Sequence, residues 1–332
     1  MITFLTWCSV ALAAAGALSV CVLAVRRVVV ARAERRRSEA EGRLRPLALA
    51  LLDGDDVDLA GLSARDADLL AALLRRYGRS LRGDDTARIA AFFDAGGWVD
   101  RQLANLSRRT AWRRATAGFT LGDMGSPRAV PALTAALRDD SADVRAAAAR
   151  SLGVLGAVGA VEPLVYALAE RRIPRSVAGQ ALLAIGPAAL PALRELETAP
   201  EAEARAFAVE LVGLLGTPAD GVRLVERLRD SSAEVRAKAA RSLGRLGARQ
   251  GTSALRDALQ DRIPFVRVAA AGALGVIGDA DAVPELLRVA RSDAFDPARA
   301  AARTAAQLAP ELAATELSPH VQEALDLLGV GS

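Results

Sequence analysis

DSSAEVRAKAARSLGRLG, from Asp230 to Gly247, is written twice more with small edits, as DDSADVRAAAARSLGVLG from Asp139 to Gly156 and DRIPFVRVAAAGALGVIG from Asp261 to Gly278. Aligning the Arg of the Val-Arg pair puts Arg145, Arg175, Arg205, Arg236, Arg267 and Arg299 in one column, with Arg114 ahead of them, at spacings of 30 to 32 residues. A Gly follows eleven residues after most of them, at positions 125, 156, 186, 216, 247 and 278. A fixed period of this size signals a repeat array, because each unit is too small to bury its apolar face without a neighbour.

The period breaks into two helices per unit. First helices are expected to start at Val130, Val161, Leu190, Gly221, Thr252 and Val283, each apolar at helical spacing, and second helices at the Val-Arg step. On a wheel of 100° per residue, Val144, Ala147, Ala148, Leu152 and Leu155 share one side, Arg145 borders it, and Arg150 points away. Alanine is abundant, aromatics make up 4% of the chain, and strand patterning is absent after residue 30.

The pattern Asp-x-x-x-x-Val-Arg-x-x-Ala-x-x-x-Leu-Gly-x-Leu-Gly, followed by Ala-Val-Pro-x-Leu, resembles the HEAT-like repeats of the phycobilisome-lyase type over residues 109–310. The resemblance implies an all-α, right-handed solenoid of antiparallel helix pairs. It implies no activity, since such repeats occur in enzymes, adaptors and scaffolds alike.

Residues 1–25 carry no charged side chain and, as a helix of about 37 Å, are long enough to cross a hydrocarbon core roughly 30 Å thick. We read them as one transmembrane helix. A cleaved signal peptide is the competing reading, although no basic n-region precedes the apolar run. Between residues 26 and 45 lie eight Arg against three Glu, an excess larger than the +4 of the whole chain, so the remainder is close to neutral. These arginines place the N-terminus outside and the repeats in the cytoplasm. The organisation expected is an anchor at 1–27, a basic juxtamembrane segment at 28–52 with breaks at Gly42 and Pro46, an irregular helical cap at 53–108, repeats at 109–311, and a capping helix at 312–332.

Catalytic chemistry has little to work with. His320 is the only histidine and both cysteines, Cys8 and Cys21, fall in the apolar N-terminal run, which disfavours zinc sites and His-dependent triads in the repeats. No metal, cofactor or nucleic acid is expected. The Asp column (Asp139, Asp230, Asp261) stands six residues before its Arg (Arg145, Arg236, Arg267) and is read as a structural ladder in which each Asp meets an Arg of its own or of the neighbouring unit. Ala169 and Ala199 vacate that column, which predicts interruptions at Arg175 and Arg205. Glycines 122, 153, 213, 244 and 275, inside the second helices, are read as points of close approach. Those at 125 to 278 are read as left-handed helix caps.

What varies is the position five residues after each column Arg, namely Phe119, Arg150, Gln180, Glu210 and Arg241, then Gly272 and Thr304. A mixed row of this kind suits a protein partner better than a phosphate backbone. Trp98, Trp112 and Phe119 read as core aromatics. The reading reached is a non-enzymatic, membrane-tethered scaffold or adaptor. Its alternatives are a regulatory subunit of a membrane enzyme or transporter, whose span would pack through Ala14, Gly16, Ala17 and Ser19, and a lyase or DNA glycosylase of the kind that uses such repeats.

Overall fold

The structure is a computed structural model that describes residues 2–55, 57, 61–78, 81, 83–293, 295–315 and 318–328. Every regular element among the described residues is a helix, and the chain divides into two compact units, 1–101 with 123–126, and 102–122 with 127–332.

The first unit is built on α1 (Ile2–Asp53), α2 (Ala64–Gly78), α3 (Asp84–Ala95) and the start of α4 (Trp98–Leu106). Contrary to the sequence expectation, α1 runs unbroken through Gly42 and Pro46. Burial decides this: Ala40, Leu44 and Ala48, one helical turn apart, are all buried where α1 packs on α2 and α3. That packing outweighs the hydrogen bond lost at Pro46. Ser63 caps α2, accepting the Asp66 N–H at 3.1 Å and donating to the Asp66 carboxylate at 2.8 Å. Phe92, Phe93 and Trp98 form the aromatic core of this unit, with Trp98 stacked on Phe92 at 5.0 Å between ring centroids. The side chains of residues 1–22, which carry the spanning reading and the small-residue stripe, lie outside the described residues.

The second unit opens with α5 (Ala111–Met124) and then alternates short and long helices. The short ones are α6 (Val130–Ala136), α8 (Val161–Ala169), α10 (Leu190–Leu196), α12 (Gly221–Arg227), α14 (Thr252–Ala258) and α16 (Val283–Ser292). Their partners are α7 (Ala142–Val154), α9 (Arg175–Ile185), α11 (Ala202–Leu215), α13 (Ala233–Arg245), α15 (Pro264–Ile277) and α17 (Phe295–Leu308), followed by α18 (Pro310–Ala313) and α19 (Pro319–Leu327). The six short helices begin at the residues the repeat spacing predicts. Each pairs with the long helix after it, and the long helices stack on one another in series, as in an α-solenoid.

One leucine per short helix (Leu133, Leu164, Leu193, Leu224, Leu255, Leu286) and one apolar residue seven after each column Arg (Leu121, Leu152, Leu182, Val212, Leu243, Leu274) have no accessible surface. Truncating Leu243 to Ala is expected to cost about 3 kcal/mol, since a site walled by helices on several sides collapses only partly. A shift of the urea midpoint corresponding to under 1 kcal/mol would contradict this.

The glycine caps take a positive φ between 59° and 79° at Gly125, Gly156, Gly247 and Gly278, but Gly186, at φ 86° and ψ −152°, lies outside the left-handed helical region and Gly216 is extended at φ −76°. The Gly216 correction has a local cause, a capping box in which Asp220 accepts the Thr217 N–H at 2.9 Å and restarts the chain without a left-handed residue. Among the described residues, one stretch is long and apolar enough to cross a membrane, Arg175–Leu196, and it is 39% buried. Gly186, at φ 86° and ψ −152°, and the Pro187 turn divide it into α9 and α10, so it belongs to the solenoid core.

Candidate protein-binding surface

The row read from the sequence lies on successive long helices. Phe119 on α5, Arg150 on α7, Gln180 on α9, Glu210 on α11 and Arg241 on α13 are all exposed. Arg150 stands over the Phe119 ring at 5.9 Å from its centroid, which fixes an apolar and a cationic group side by side. Glu210 is paired with Lys238. Four residues beyond the row come Val154, Leu214 and Val276, exposed by 59%, 46% and 71%, so the face is apolar as well as charged.

Three expectations need correction here. Trp112 and Phe119 are not core aromatics; they are 65% and 41% exposed. Thr304 is not on the row: it is buried, and its hydroxyl donates to the Ala271 carbonyl at 3.2 Å. Ser151 and Ser242 do the same to Gly118 and Val209, both at 2.9 Å. Thr304 is thus the counterpart of two residues that stand six after their Arg. The true column position in α17 is Ala298, and Arg299 is one residue out of register, half-exposed and paired with Glu323 at 2.7 Å. Sequence reading missed this hydroxyl series; its signal is a Ser or Thr recurring opposite a helix-interior Gly of the preceding unit.

The ladder itself runs between units. Arg114 forks onto Asp139 at 2.8 and 2.7 Å, Arg205 onto Asp230 at 2.8 Å twice, Arg236 onto Asp261 at 2.7 and 3.0 Å, and Arg267 onto Asp293. In the same stroke Arg236 Nη1 donates to the carbonyls of Asp230 and Ser231 in its own unit, at 2.8 and 3.2 Å. Asp139, Asp230 and Asp261 also accept a backbone N–H two residues on, from Ser141, Ser232 and Ile263, at 2.8 Å. One Arg therefore ties the turn of its own unit to the turn of the next. The Arg114 fork holds the Asp139 carboxyl below the ordinary carboxylate range, against the opposing effect of burial. For Asp230 and Asp261 burial pushes upward, but the Arg forks and the capped N–H groups outweigh it and the net direction is also down.

Because the Arg reaches forward, a missing Asp disables the preceding Arg. The interruptions fall at Arg145 and Arg175, not at Arg175 and Arg205 as the sequence suggests. Arg145 Nε donates to the Arg172 carbonyl at 2.6 Å where a carboxylate would otherwise stand, and Arg175 turns to Glu203.

Among the described residues no group of three His, Cys, Asp or Glu side chains is placed to hold a metal ion, and His320 packs edge-on against Phe295. A HEAT-repeat family profile matches residues 102–183 and 221–307, together just over half of the chain. No curated protein matches. Among solved structures, human deoxyhypusine hydroxylase in complex with glycerol is 20% identical, covering 82% of this chain and 98% of its own, with a TM-score of 0.34. The E. coli protein YibA is 21% identical, covering 71% and 96%, with a TM-score of 0.41. The CpcE–CpcF complex of phycocyanin lyase from Nostoc sp. is 22% identical, covering 75% and 92%, with a TM-score of 0.29.

Proposed function

The chain belongs to the HEAT-repeat family, and from that premise we propose that it is a non-enzymatic scaffold, tethered to a membrane by its N-terminal helix, that docks a protein partner on its solenoid. One observation carries the reading. The packing positions of the long helices repeat while the exposed row from Phe119 to Arg241 changes from aromatic to basic, polar, acidic and basic. Interior positions constrained by stacking explain the repetition. The varied row supplies the kind of mixed apolar and charged surface on which protein partners are distinguished.

The tether rests on the uncharged run of residues 1–25 and the arginines that follow it. An anchor of this kind confines the solenoid to one surface and raises its effective concentration toward a membrane-associated partner. In this reading the solenoid is cytoplasmic and the N-terminus outside. A protease site placed before Thr3 in intact cells is expected to be cut from outside, and cleavage only after lysis would reverse the orientation.

Affinity purification of the detergent-solubilised full-length protein, read by mass spectrometry, tests the function. One protein set should be recovered by the wild type and reduced about tenfold by Arg150→Glu with Arg241→Glu, the loss expected when charges at the centre of an interface are reversed. Recovery of lipid or nucleic acid alone would sink the proposal.

A further inference from the structure

The two interrupted rungs are adjacent, and they open a cleft. It has a volume of about 780 Å³ and lies between the turns that precede α9 and α11, where these long helices are less closely packed than α7 on α9 or α11 on α13. This is within the roughly 300–1,000 Å³ of pockets that bury small ligands. Leu168, Ile173, Leu196 and Phe207 supply apolar wall. Arg145, Arg171, Arg172 and Arg175 bring four guanidinium groups to it, against the carboxylates of Glu201 and Glu203.

The local sequence explains why the cleft is there. Pro174 stands where other units have Val144, Val235 and Val266. It disfavours helical backbone at Ile173, and is itself extended at ψ 144°, so α9 begins only at Arg175. The turn before it passes through Arg171 at φ 55°, the one non-glycine residue of positive φ among those described. The turn before α9 also lacks the Asp that accepts a backbone N–H in the turns before α7 and α13, since Ala169 stands in its place. Arg145 keeps its Nη1 bonds to the Asp139 and Asp140 carbonyls at 2.7 and 2.8 Å, yet its Nη2 has no hydrogen-bond partner among the described residues. Arg175 makes none of the carbonyl bonds that hold Arg205 or Arg236, and its side chain is 50% exposed.

We propose that this cleft binds an acidic peptide segment of a partner, whose carboxylate meets the two Arg side chains left without a rung, at the unbonded Nη2 of Arg145 and at the half-exposed Arg175. The proposal rests on the reading of the array as a protein-binding scaffold and adds to it a site and a chemistry. Three features select a carboxylate peptide. The neighbouring rungs show the same Arg column engaging carboxylates in a two-point fork. The four guanidinium groups outnumber the carboxylates of Glu201 and Glu203 even when Glu170, which pairs with Arg172 at 2.8 Å, is counted with them. The apolar wall matches a segment in which an aliphatic residue flanks the acid, as Leu137, buried in its own unit, flanks Asp139.

The test uses the full-length protein in detergent and a blocked, fluorescein-labelled peptide, Leu-Arg-Asp-Asp-Ser-Ala, with the chemistry of an intact rung. Its Leu-Arg-Asn-Asn-Ser-Ala counterpart is the control. Anisotropy titration should show saturable binding of the acidic peptide, about tenfold weaker binding of the amide peptide, and a loss of similar size in Arg171→Ala with Arg175→Ala, two exposed positions whose truncation leaves the thermal midpoint in place. Equal binding of the two peptides, undiminished binding by the variant, or no saturable binding would each overturn the proposal. So would an anionic lipid that binds the wild type, fails on the variant and is not displaced by the acidic peptide. The two readings fail separately. Partner capture that survives the cleft variant but not the row variant overturns the cleft alone, whereas an empty wild-type capture overturns the scaffold.

Discussion

Asp261→Ala is expected to lose about 3 kcal/mol of unfolding free energy at pH 7, because it strands the Arg236 guanidinium in a site where only 9% of that side chain is exposed. The cost is larger than that of an exposed ion pair for a physical reason. Nε and Nη2 lose a fork at 2.7 and 3.0 Å, the Ile263 N–H loses its acceptor, and little water can replace either. The variant also separates two units, since Arg236 stays tied to its own turn through Asp230 and Ser231. The effect depends on pH with a definite sign. The native Asp261 carboxyl lies below its ordinary value of 3.8, so its contribution is present above that value and is lost as pH falls through the native one. Asp139, Asp220 and Asp230 are shifted the same way and add to acid lability. Urea unfolding followed by circular dichroism should show a wild-type advantage at pH 7 that shrinks below about pH 3.8. Arg299→Ala, one residue out of register on the surface, is the contrast and should change stability by at most about 1 kcal/mol. An Asp261→Ala protein as stable as the wild type at pH 7 would refute the ladder as a stacking device.

The helix pairs were legible in the sequence because their cause is local and periodic. Six first-helix starts follow from the recurrence of Val130, Val161 and their successors, and the buried Leu133 and Leu152 series follow from helical spacing. The direction of the ladder was not legible. An Asp six residues before one Arg is also 25 residues after another, and only the stacked structure chooses the second partner. The register slip in α17 was hidden for a related reason: Arg299 sits one residue from the column, and its neighbour Ala298 carries no polar mark. At Gly42 and Pro46 local propensity pointed to breaks, and burial of Ala40, Leu44 and Ala48 overrode it. The exposed row was legible as a set of positions, because a wheel separates outward from inward residues. The cleft was not: its signals, Pro174 in a Val column and Ala at 169 and 199, read as a lapse in the repeat until the backbone showed the space they leave.

Gly153→Ala is expected to destabilise the protein by about 2 kcal/mol, although alanine is a better helix former than glycine by about 1 kcal/mol. The added Cβ would stand 2.6 Å from the Ala181 Cα and 3.1 Å from its carbonyl oxygen, and these are backbone atoms of the next long helix that cannot swing aside. Gly244 repeats the arrangement, with a Cβ 2.8 Å from the Ala273 Cα. Relief requires α7 and α9, or α13 and α15, to move apart, which loosens every contact of the stacked pair. Gly272 provides the internal control. It also lies inside a long helix, α15, but an added Cβ there meets no atom within 4 Å. Gly272→Ala should therefore stabilise by roughly 0.5–1 kcal/mol through backbone entropy alone. Denaturation midpoints of the three variants separate two accounts of the glycines. If close approach of the helices is what requires Gly153 and Gly244, their alanine variants fall while Gly272→Ala rises. If glycine serves only to keep the helices flexible, all three rise together, and the close-approach account fails.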